Sequence, residues 1–245
     1  EIPPLIWQPI LRLFVLTTRP SKSAHAYAQI WTPEGSPLAV VTRDQAAAVQ
    51  VRFGDTVMVD WAMRYGRPSV EEKLKAMKDA GCDRILIAPM YPQYCAATTA
   101  TVFDEVARVL KAMRWQPALR FVPPYHDEPT YIAALADDLT RQVEALTFTP
   151  EVMLLSFHGM PQQTLEKGDP YYCHCSKTAR LLREALETRP QFAGVRFETT
   201  FQSRFGPSRW LEPSTDATLI AEGGKGTKRL VVAAPGFAAD CVETL

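Results

Sequence analysis

The sequence predicts an α/β fold built on parallel sheets. Six short apolar runs, rich in β-branched and aromatic residues, have the composition of strands. Most of these runs are continuous rather than alternating, which is typical of strands covered on both faces. Helical patterns lie between them, and strand alternating with helix indicates parallel pairing, since each parallel crossover needs a helix.

The predicted elements follow one another in a regular order. The strands cover residues 56–62, 84–90, 118–122, 152–157, 195–201 and 229–234. The best-marked helix covers residues 69–80, where Ser69 is a capping residue and Glu71 and Glu72 lie in the first turn. Gly81 ends that helix. Less sharply bounded patterns predict helices at 98–113, 130–146, 176–186 and 215–222.

The long helical pattern at 130–146 separates three predicted strands from three. Two Rossmann-like halves, 1–128 and 129–245, are therefore the simplest architecture, with an active-site cleft between them. The chain begins at Glu1 without an initiator methionine or a signal-peptide pattern, and it ends at Leu245 directly after an apparent functional motif. We therefore expect a fragment of a longer protein.

The composition excludes several classes of protein. Hydrophobic residues make up 47% of the chain, which excludes a disordered protein and leaves ample material for a core. Lys plus Arg and Asp plus Glu number 27 each, so no net field attracts nucleic acid or anionic lipid. Five scattered cysteines form an odd set, which favours a reducing cytoplasm. The apolar run 13–16, bracketed by Arg12 and Arg19, is too short to span a membrane.

Chemically unusual residues cluster directly after the predicted strands. The clusters, in strand order, are Arg64 with Tyr65, 91–99, Tyr125 with His126, 158–161, 202–210 and 236–243. In an open α/β sheet, ligands bind outside the carboxyl ends of the strands. We therefore expect the six segments to converge on one cleft, which is the predicted functional site.

His158 and Glu243 are the candidate catalytic and metal-ligating residues. His158 ends a predicted strand, and the Gly-Met-Pro that follows turns the chain so that the imidazole faces the cleft. A neutral imidazole binds borderline divalent metals and also accepts protons near neutral pH. Glu243 follows the sixth strand, and a carboxylate there is suited to complete a pair that binds iron or relays protons.

Both residues also have plainer interpretations. The imidazole of His158 is explained equally well by a hydrogen bond to its own turn. Asp240 is a potential helix cap, which would make Glu243 an ordinary acid in the first turn of a helix that begins at Cys241.

Aromatic and basic side chains at the same strand ends are suited to a large planar ligand with acidic arms. They are Tyr65, Tyr91, Tyr94, Phe205 and Trp210, with Arg64, Arg204 and Arg209 as donors to carboxylates. Any one of these aromatic residues is also explained as part of the core. We interpret Tyr91 as a substrate-binding residue of this group.

Two further patterns do not predict a site. Cys173-His174-Cys175 lacks a second ligand pair at finger-like spacing, so we expect an ordinary surface loop. The Gly-rich segment 223–226 follows a helix rather than a strand, so it is interpreted as a helix stop and not as a phosphate cradle.

Several long motifs resemble those of a known family. They are Leu-Ser-Phe-His-Gly-Met-Pro at 155–161 with Lys-Gly-Asp-Pro-Tyr at 167–171, Phe-Gln-Ser-Arg-Phe-Gly-Pro at 201–207 with Trp-Leu-Glu-Pro-Ser-Thr-Asp at 210–216, and Pro-Gly-Phe-Ala-Ala-Asp-Cys-Val-Glu-Thr-Leu at 235–245. Shorter segments at 35–38, 63–66 and 91–94 fit as well. Together and in this order they resemble the ferrochelatases of the haem pathway, in particular the proteobacterial ones, over essentially the whole chain.

The resemblance implies two Rossmann-type domains around a cleft that binds protoporphyrin, in which ferrous iron replaces two pyrrole protons. On matching positions, His158 takes the place of the family's essential histidine and Glu243 that of its partner acid. Arg64 and Tyr65 match a pair on the opposite wall of the cleft, and Trp210 matches an aromatic residue near the macrocycle. The family's first strand and its last strand and helices have no counterpart here, in keeping with a fragment.

The resemblance implies no cofactor beyond the substrate Fe²⁺. Cys95 resembles the internal cysteine that joins an iron-sulfur cluster in some members, but the remaining ligands lie in a C-terminal extension, so no cluster is assigned. The apolar start resembles the family's active-site lip, which is suited to peripheral contact with a membrane and equally to packing on the sheet. Its residues are Ile2, Leu5, Ile6, Trp7, Ile10, Leu13 and Phe14.

Two other functions are consistent with the same residues. One is a different tetrapyrrole chelatase that acts on coproporphyrin or a sirohydrochlorin-like ring, although a cleft with few basic residues argues against the many acidic arms of sirohydrochlorin. The other is a non-catalytic haem or porphyrin carrier, which would need no proton acceptor at His158.

Overall fold

Parallel strands confirm the predicted α/β class. The computed structural model describes residues 4–245, without the side chains at positions 4, 6, 7, 14, 18, 19 and 22. Backbone contacts divide the chain into two compact units, Glu1–Trp61 with Ala239–Leu245 and Ala62–Ala238. The division into domains at residue 128 stays a prediction.

The described helices of the first unit lie between residues 4 and 56. It contains α1 (Pro4–Ile10), a π-helical turn (Leu11–Val15), α2 (Leu16–Ile30), α3 (Pro37–Phe53) and a 3-10 turn (Gly54–Thr56). Pro37 begins α3, where its fixed φ suits a helix and its missing N–H has no intrahelical partner to lose. The sequence pattern did not predict α3, because the apolar residues of this helix do not recur on one face.

The strand predicted at 56–62 is wrong. Thr56 ends the 3-10 turn, and residues 57–62 form no strand. The side chain of Gln50 binds the backbone groups that a ladder would use, since its Nε2 donates to the Val57 carbonyl oxygen at 3.0 Å and its Oε1 accepts from the Val59 N–H at 2.7 Å. A side chain from the preceding helix thus satisfies this extended segment in place of a neighbouring strand.

The second unit alternates strands and helices as predicted. Its elements are α4 (Val70–Asp79), β1 (Arg84–Ile87), α5 (Thr99–Ala112), β2 (Ala118–Phe121), α6 (Pro129–Glu144), β3 (Val152–His158), α7 (Gln162–Glu166), α8 (Tyr171–Glu187), a 3-10 turn (Pro190–Phe192), β4 (Arg196–Gln202), α9 (Thr215–Gly224) and β5 (Leu230–Ala233). The predicted cap of α4 forms as a capping box between Ser69 and Glu72. The Gly-rich segment 223–226 ends α9, as expected, with Gly223 and Gly224 as the last two residues of the helix.

The surface loop predicted at 173–175 is wrong. These residues belong to α8, which begins at Tyr171, and Cys175 is fully buried. The side chain of Asp169 accepts the Tyr171 N–H at 3.0 Å, which satisfies one of the backbone donors that every helix leaves open at its N-terminus. The helix therefore starts directly after Pro170, earlier than its apolar pattern indicates.

The strands form two parallel sheets. β1 pairs with β2, while β3 lies between β4 and β5. Because all pairings are parallel, the carboxyl ends of the strands within each sheet lie at one edge. His158, the last residue of β3, is in register with Gln202, the last residue of β4.

Each sheet has its own hydrophobic core. The larger core packs β3 against α6 and α8 and includes Phe157, Leu182 and Phe192. The smaller core packs β1 against α4 and α5. Among the described residues, no helix is both long and apolar enough to cross a bilayer.

Candidate active site

The peptide bond between His158 and Gly159 is held at both ends. The Tyr171 hydroxyl group donates to the His158 carbonyl oxygen at 2.9 Å. The Gly159 N–H donates to the Gln202 carbonyl oxygen at 2.7 Å. The backbone at the end of β3 is therefore fixed by two neighbours, one from α8 and one from β4.

The next carbonyl group orients the imidazole of His158. The Nδ1 atom of His158 lies 2.6 Å from the Gly159 carbonyl oxygen. Because a carbonyl oxygen only accepts, Nδ1 must carry the proton in this hydrogen bond, and Nε2 keeps its lone pair. The plain interpretation of His158, a hydrogen bond to its own turn, is thus correct, and it leaves Nε2 able to bind a metal ion or accept a proton.

Trp210 packs against the turn that carries His158. A Cβ atom at Gly159 would lie 2.8 Å from the Gln202 carbonyl oxygen and 3.1 Å from the Trp210 ring, so only glycine allows this approach. Trp210 also forms a β-bridge with Pro161, and its indole is 5% exposed. The ring of Phe205 meets it edge-on at 4.8 Å. Trp210 is therefore buried against the turn that follows His158, while Phe205 on its other side is 55% exposed.

Loops from several strand ends meet at this edge, as the sequence predicts. A Cβ atom at Gly236, after β5, would lie 3.0 Å from the ring of Phe157 in β3 and 3.4 Å from the side chain of Gln93, after β1. The Tyr131 hydroxyl group donates to the Pro235 carbonyl oxygen at 2.8 Å. The structure thus brings the loops after β1 and β5 together at the end of β3, and the convergence of all six segments on one cleft stays a prediction.

Arg64, Tyr65 and Tyr91 form a second group in this unit. The Arg64 Nε atom donates to the Thr101 carbonyl oxygen at 2.7 Å, and its guanidinium group lies 4.5 Å from the centre of the Tyr65 ring. The Tyr65 side chain is 70% exposed. Burial, and next the nearby Tyr65, raise the pKa of Tyr91, while the charge of Arg64 opposes that rise. The three side chains thus share one electrostatic environment.

Glu243 belongs to the first unit and lies in a turn. The helix that Asp240 was expected to cap is wrong, because residues 242–244 form a turn closed by the Leu245 N–H and the Cys241 carbonyl oxygen at 3.2 Å. Burial, followed by a hydrogen bond to Glu243, raises the pKa of Cys241 to about 11. Burial and then the Glu243 charge raise the pKa of Tyr27. The sequence pattern gave no signal for Tyr27 as a neighbour of Glu243.

His158 and Glu243 belong to different units, so their predicted pairing stays a prediction. Within the residues that the structure describes, no three His, Cys, Asp or Glu side chains form a metal-binding group. Of the predicted catalytic pair, the second unit itself supplies His158, with the Trp210 ring packed against the turn that follows it.

Comparison with known proteins identifies the family. The sequence model of the ferrochelatase family matches residues 1–245. The chain is 54% identical to a ferrochelatase of Rhizobium meliloti (strain 1021) over 98% of this chain and 71% of that protein. It is 55% identical to a ferrochelatase of Azoarcus sp. (strain BH72) over 100% of this chain and 67% of that protein. The chain belongs to the ferrochelatase family.

A solved structure supports the fold of this ferrochelatase family member. SirB from Bacillus subtilis with Fe³⁺ matches with a TM-score of 0.50 and 13% sequence identity, covering 79% of this chain and 82% of that one. At such low identity the match supports only the fold, which agrees with the parallel α/β arrangement seen here.

Cys95 is buried in the larger core of this ferrochelatase family member. Its side chain is 1% exposed, and burial raises the pKa of the thiol to about 11. Iron-sulfur clusters bind thiolates, which are favoured by the opposite shift. Cys95 is thus a neutral core thiol in this environment, and the absence of a cluster stays a prediction.

Two histidines that the sequence pattern did not single out as a pair stack near the loop after β1. The rings of His126 and His174 lie 3.6 Å apart and are nearly parallel, at 7°. Burial lowers the pKa of both, and the His174 Nδ1 accepts the Tyr94 N–H at 3.2 Å. Their positions 126 and 174 follow different strands, and only the folded chain brings them together.

Proposed function

We propose that this protein inserts ferrous iron into protoporphyrin to form protohaem with release of two protons, the last step of haem biosynthesis. The observation that carries the proposal is the Nε2 atom of His158, which keeps its lone pair because Nδ1 donates to the Gly159 carbonyl oxygen. Membership of the ferrochelatase family supports the reaction and its two substrates.

The chemistry requires a base and a site that bends the macrocycle. A free porphyrin is flat, and two pyrrole protons occupy its centre. Bending exposes the nitrogen lone pairs. It costs about 1 to 5 kcal/mol of strain, which is offset by the binding of the rest of the ligand. In our proposal Nε2 of His158 receives a pyrrole proton or holds the incoming Fe²⁺, since a neutral imidazole does both.

The other site residues take supporting roles in the proposal. Trp210 supports the turn that carries His158 and borders the porphyrin from there, and Tyr91 adds a half-buried aromatic ring. Arg64 and Tyr65 bind the substrate from their shared environment, in which the cation lies over the phenol ring. Glu243 takes the role that the family resemblance implies, as a metal ligand or a second proton acceptor.

Anaerobic insertion of Fe²⁺ into protoporphyrin tests the proposal. His158→Ala should lower kcat by at least about 100-fold while porphyrin affinity is kept, because it removes a general base or metal ligand. His25→Ala, at an exposed histidine in α2, is the matched control and should keep full activity. Turnover that survives in His158→Ala would refute the catalytic role, and faster metallation of sirohydrochlorin would refute the substrate.

We also propose that α1, the π-helical turn and the start of α2 contact a bilayer through which the apolar porphyrin arrives. Ile2 and the side chains of Ile6, Trp7 and Phe14 lie outside the described residues. Three leucines of this region carry the argument, since Leu5, Leu13 and Leu16 are 90%, 67% and 55% exposed. Burying one leucine in lipid stabilises binding by about 1.5 to 3 kcal/mol.

Sedimentation with phosphatidylcholine and phosphatidylglycerol vesicles checks this contact. Leu13→Asp should lower the membrane partition coefficient at least about tenfold, since it removes one buried leucine and adds a charge. Val51→Asp in α3 is the matched control, because Val51 is 83% exposed and lies outside the lip. An equal loss in both variants, or in neither, would show that the lip does not bind the membrane.

A further inference from the structure

We propose that Tyr171 is a positioning residue for His158, and that its hydroxyl group maintains the tautomer in which Nε2 keeps its lone pair. The inference rests on the proposed role of His158. The geometric basis is the hydrogen bond of 2.9 Å from the Tyr171 hydroxyl group to the His158 carbonyl oxygen.

Two successive peptide groups link the tyrosine to the imidazole. The first peptide carries the His158 carbonyl group, bound by Tyr171, and the Gly159 N–H, bound by Gln202. The second carries the Gly159 carbonyl group, which accepts from Nδ1 of His158 at 2.6 Å. The orientation of the first peptide, together with φ and ψ of Gly159, therefore sets where the second carbonyl oxygen points.

Because residue 159 is a glycine, the orientation of the two peptides depends on hydrogen bonds from neighbouring residues. Glycine has no Cβ atom and rotates more freely about φ and ψ than any other residue. The backbone at Gly159 therefore relies on hydrogen bonds from its neighbours. Without the Tyr171 hydroxyl group, one of the two hydrogen bonds that hold the His158–Gly159 peptide is lost, and the Gly159 carbonyl oxygen is less well aligned with Nδ1.

Tyr171 is itself rigidly placed. Its N–H donates to one carboxylate oxygen of Asp169 at 3.0 Å, and the other oxygen accepts the Ala96 N–H at 2.8 Å. Its side chain is 9% exposed and packs in the larger core with Cys95 and Cys175. Burial strongly raises the pKa of Tyr171, so the hydroxyl group keeps its proton and remains a donor throughout the working pH range.

The neighbouring Tyr172 offers a matched control. It lies on the same helix, and its ring stacks on Phe201 at 5.7 Å. In the described part of the chain, no hydrogen-bond partner is seen for its hydroxyl group. Tyr171→Phe and Tyr172→Phe therefore make the same chemical change at adjacent positions, and each keeps its ring. Only the first removes a hydrogen bond to the backbone of His158.

The first readout is the imidazole tautomer in the protein without substrate. Long-range proton–nitrogen NMR spectra of the full chain with ¹⁵N-labelled histidine distinguish Nδ1–H from Nε2–H, and four histidines keep the spectrum simple. His158→Ala identifies the signals of His158. We expect Nδ1–H at His158 in the native protein and in Tyr172→Phe, and a mixture of tautomers in Tyr171→Phe.

The second readout is the split between kcat and KM for protoporphyrin. Tyr171→Phe should lower kcat about fivefold, the effect of losing one neutral hydrogen bond, with KM changed less than about twofold. Tyr172→Phe should change neither. A native tautomer and native kcat in a folded Tyr171→Phe protein would overturn the inference. If His158→Ala stays active while Tyr171→Phe shifts the tautomer, the proposed catalytic role of His158 fails, and the control of its tautomer by Tyr171 stands.

Discussion

The two sheets of the larger unit are covered very differently. In the three-stranded sheet, residues Val152 to Phe157 of β3 are all buried to 1% exposure or less. In the two-stranded sheet, Leu86 of β1 is 63% exposed and Phe121 of β2 is 36% exposed. Only Ile85 of β1 is buried to a comparable degree, at 6%.

The proposed base and the proposed substrate-binding pair lie next to sheets of different burial. The proposed base, His158, lies at the end of the most deeply buried strand, where neighbours fix its backbone. Arg64 and Tyr65 precede the two-stranded sheet in sequence, and Tyr65 is largely exposed. In our proposal, the group that must hold a precise orientation is thus supported by the core of the three-stranded sheet, while the proposed substrate-binding pair includes the largely exposed side chain of Tyr65.

The largest expected effect is on stability, and it tests the contrast between the sheets directly. Leu154→Ala should lower the free energy of unfolding by about 2 to 5 kcal/mol, because it removes a fully buried side chain and leaves a cavity. Leu86→Ala makes the same change at a residue that is 63% exposed and should cost less than about 0.5 kcal/mol. Urea denaturation measures both, and equal losses would show that the two sheets do not differ in burial.

The central strand of the three-stranded sheet is predicted well from the sequence, for a physical reason. The run from Val152 to Phe157 is continuous and apolar because both of its faces are covered, and such a run is hard to interpret as anything else. The segment 56–62 has a similar composition, yet its backbone groups bind the side chain of Gln50. Amino-acid composition shows that a segment prefers to be buried. It does not show which groups form hydrogen bonds with the backbone of that segment.

The same limit applies to the site. The position of His158 is predictable, because ligands lie at the carboxyl ends of parallel strands. Tyr171, whose hydroxyl group donates to the His158 carbonyl oxygen, is part of a motif that the sequence shows. No spacing rule indicates that its ring contacts the end of β3. Tyr27 near Glu243 is equally hidden, since the two are more than 200 positions apart in the chain. Contacts between distant segments depend on packing, which a single sequence does not encode as a local pattern.

The smaller effect concerns two glycines, one in each region. Gly159→Ala places a Cβ atom 2.8 Å from the Gln202 carbonyl oxygen, so packing resists it at a cost of about 1 to 3 kcal/mol. Gly81, before β1, has φ +88° and no heavy atom within 4 Å of the position that a Cβ atom would take. Gly81→Ala therefore costs about 1 to 2 kcal/mol through its backbone conformation alone.

The two variants should differ in activity rather than in stability. Gly159→Ala can be relieved only by moving the peptide that orients His158 or the ring of Trp210, so kcat should fall at least about tenfold. Gly81→Ala leaves that peptide in place and should keep native kcat at a temperature where both proteins are folded. Fe²⁺ insertion assays beside thermal melts separate the two effects. If both variants lose activity only in proportion to their stability, the three-stranded sheet does not hold His158 in a more precise orientation than the two-stranded sheet gives its own loops.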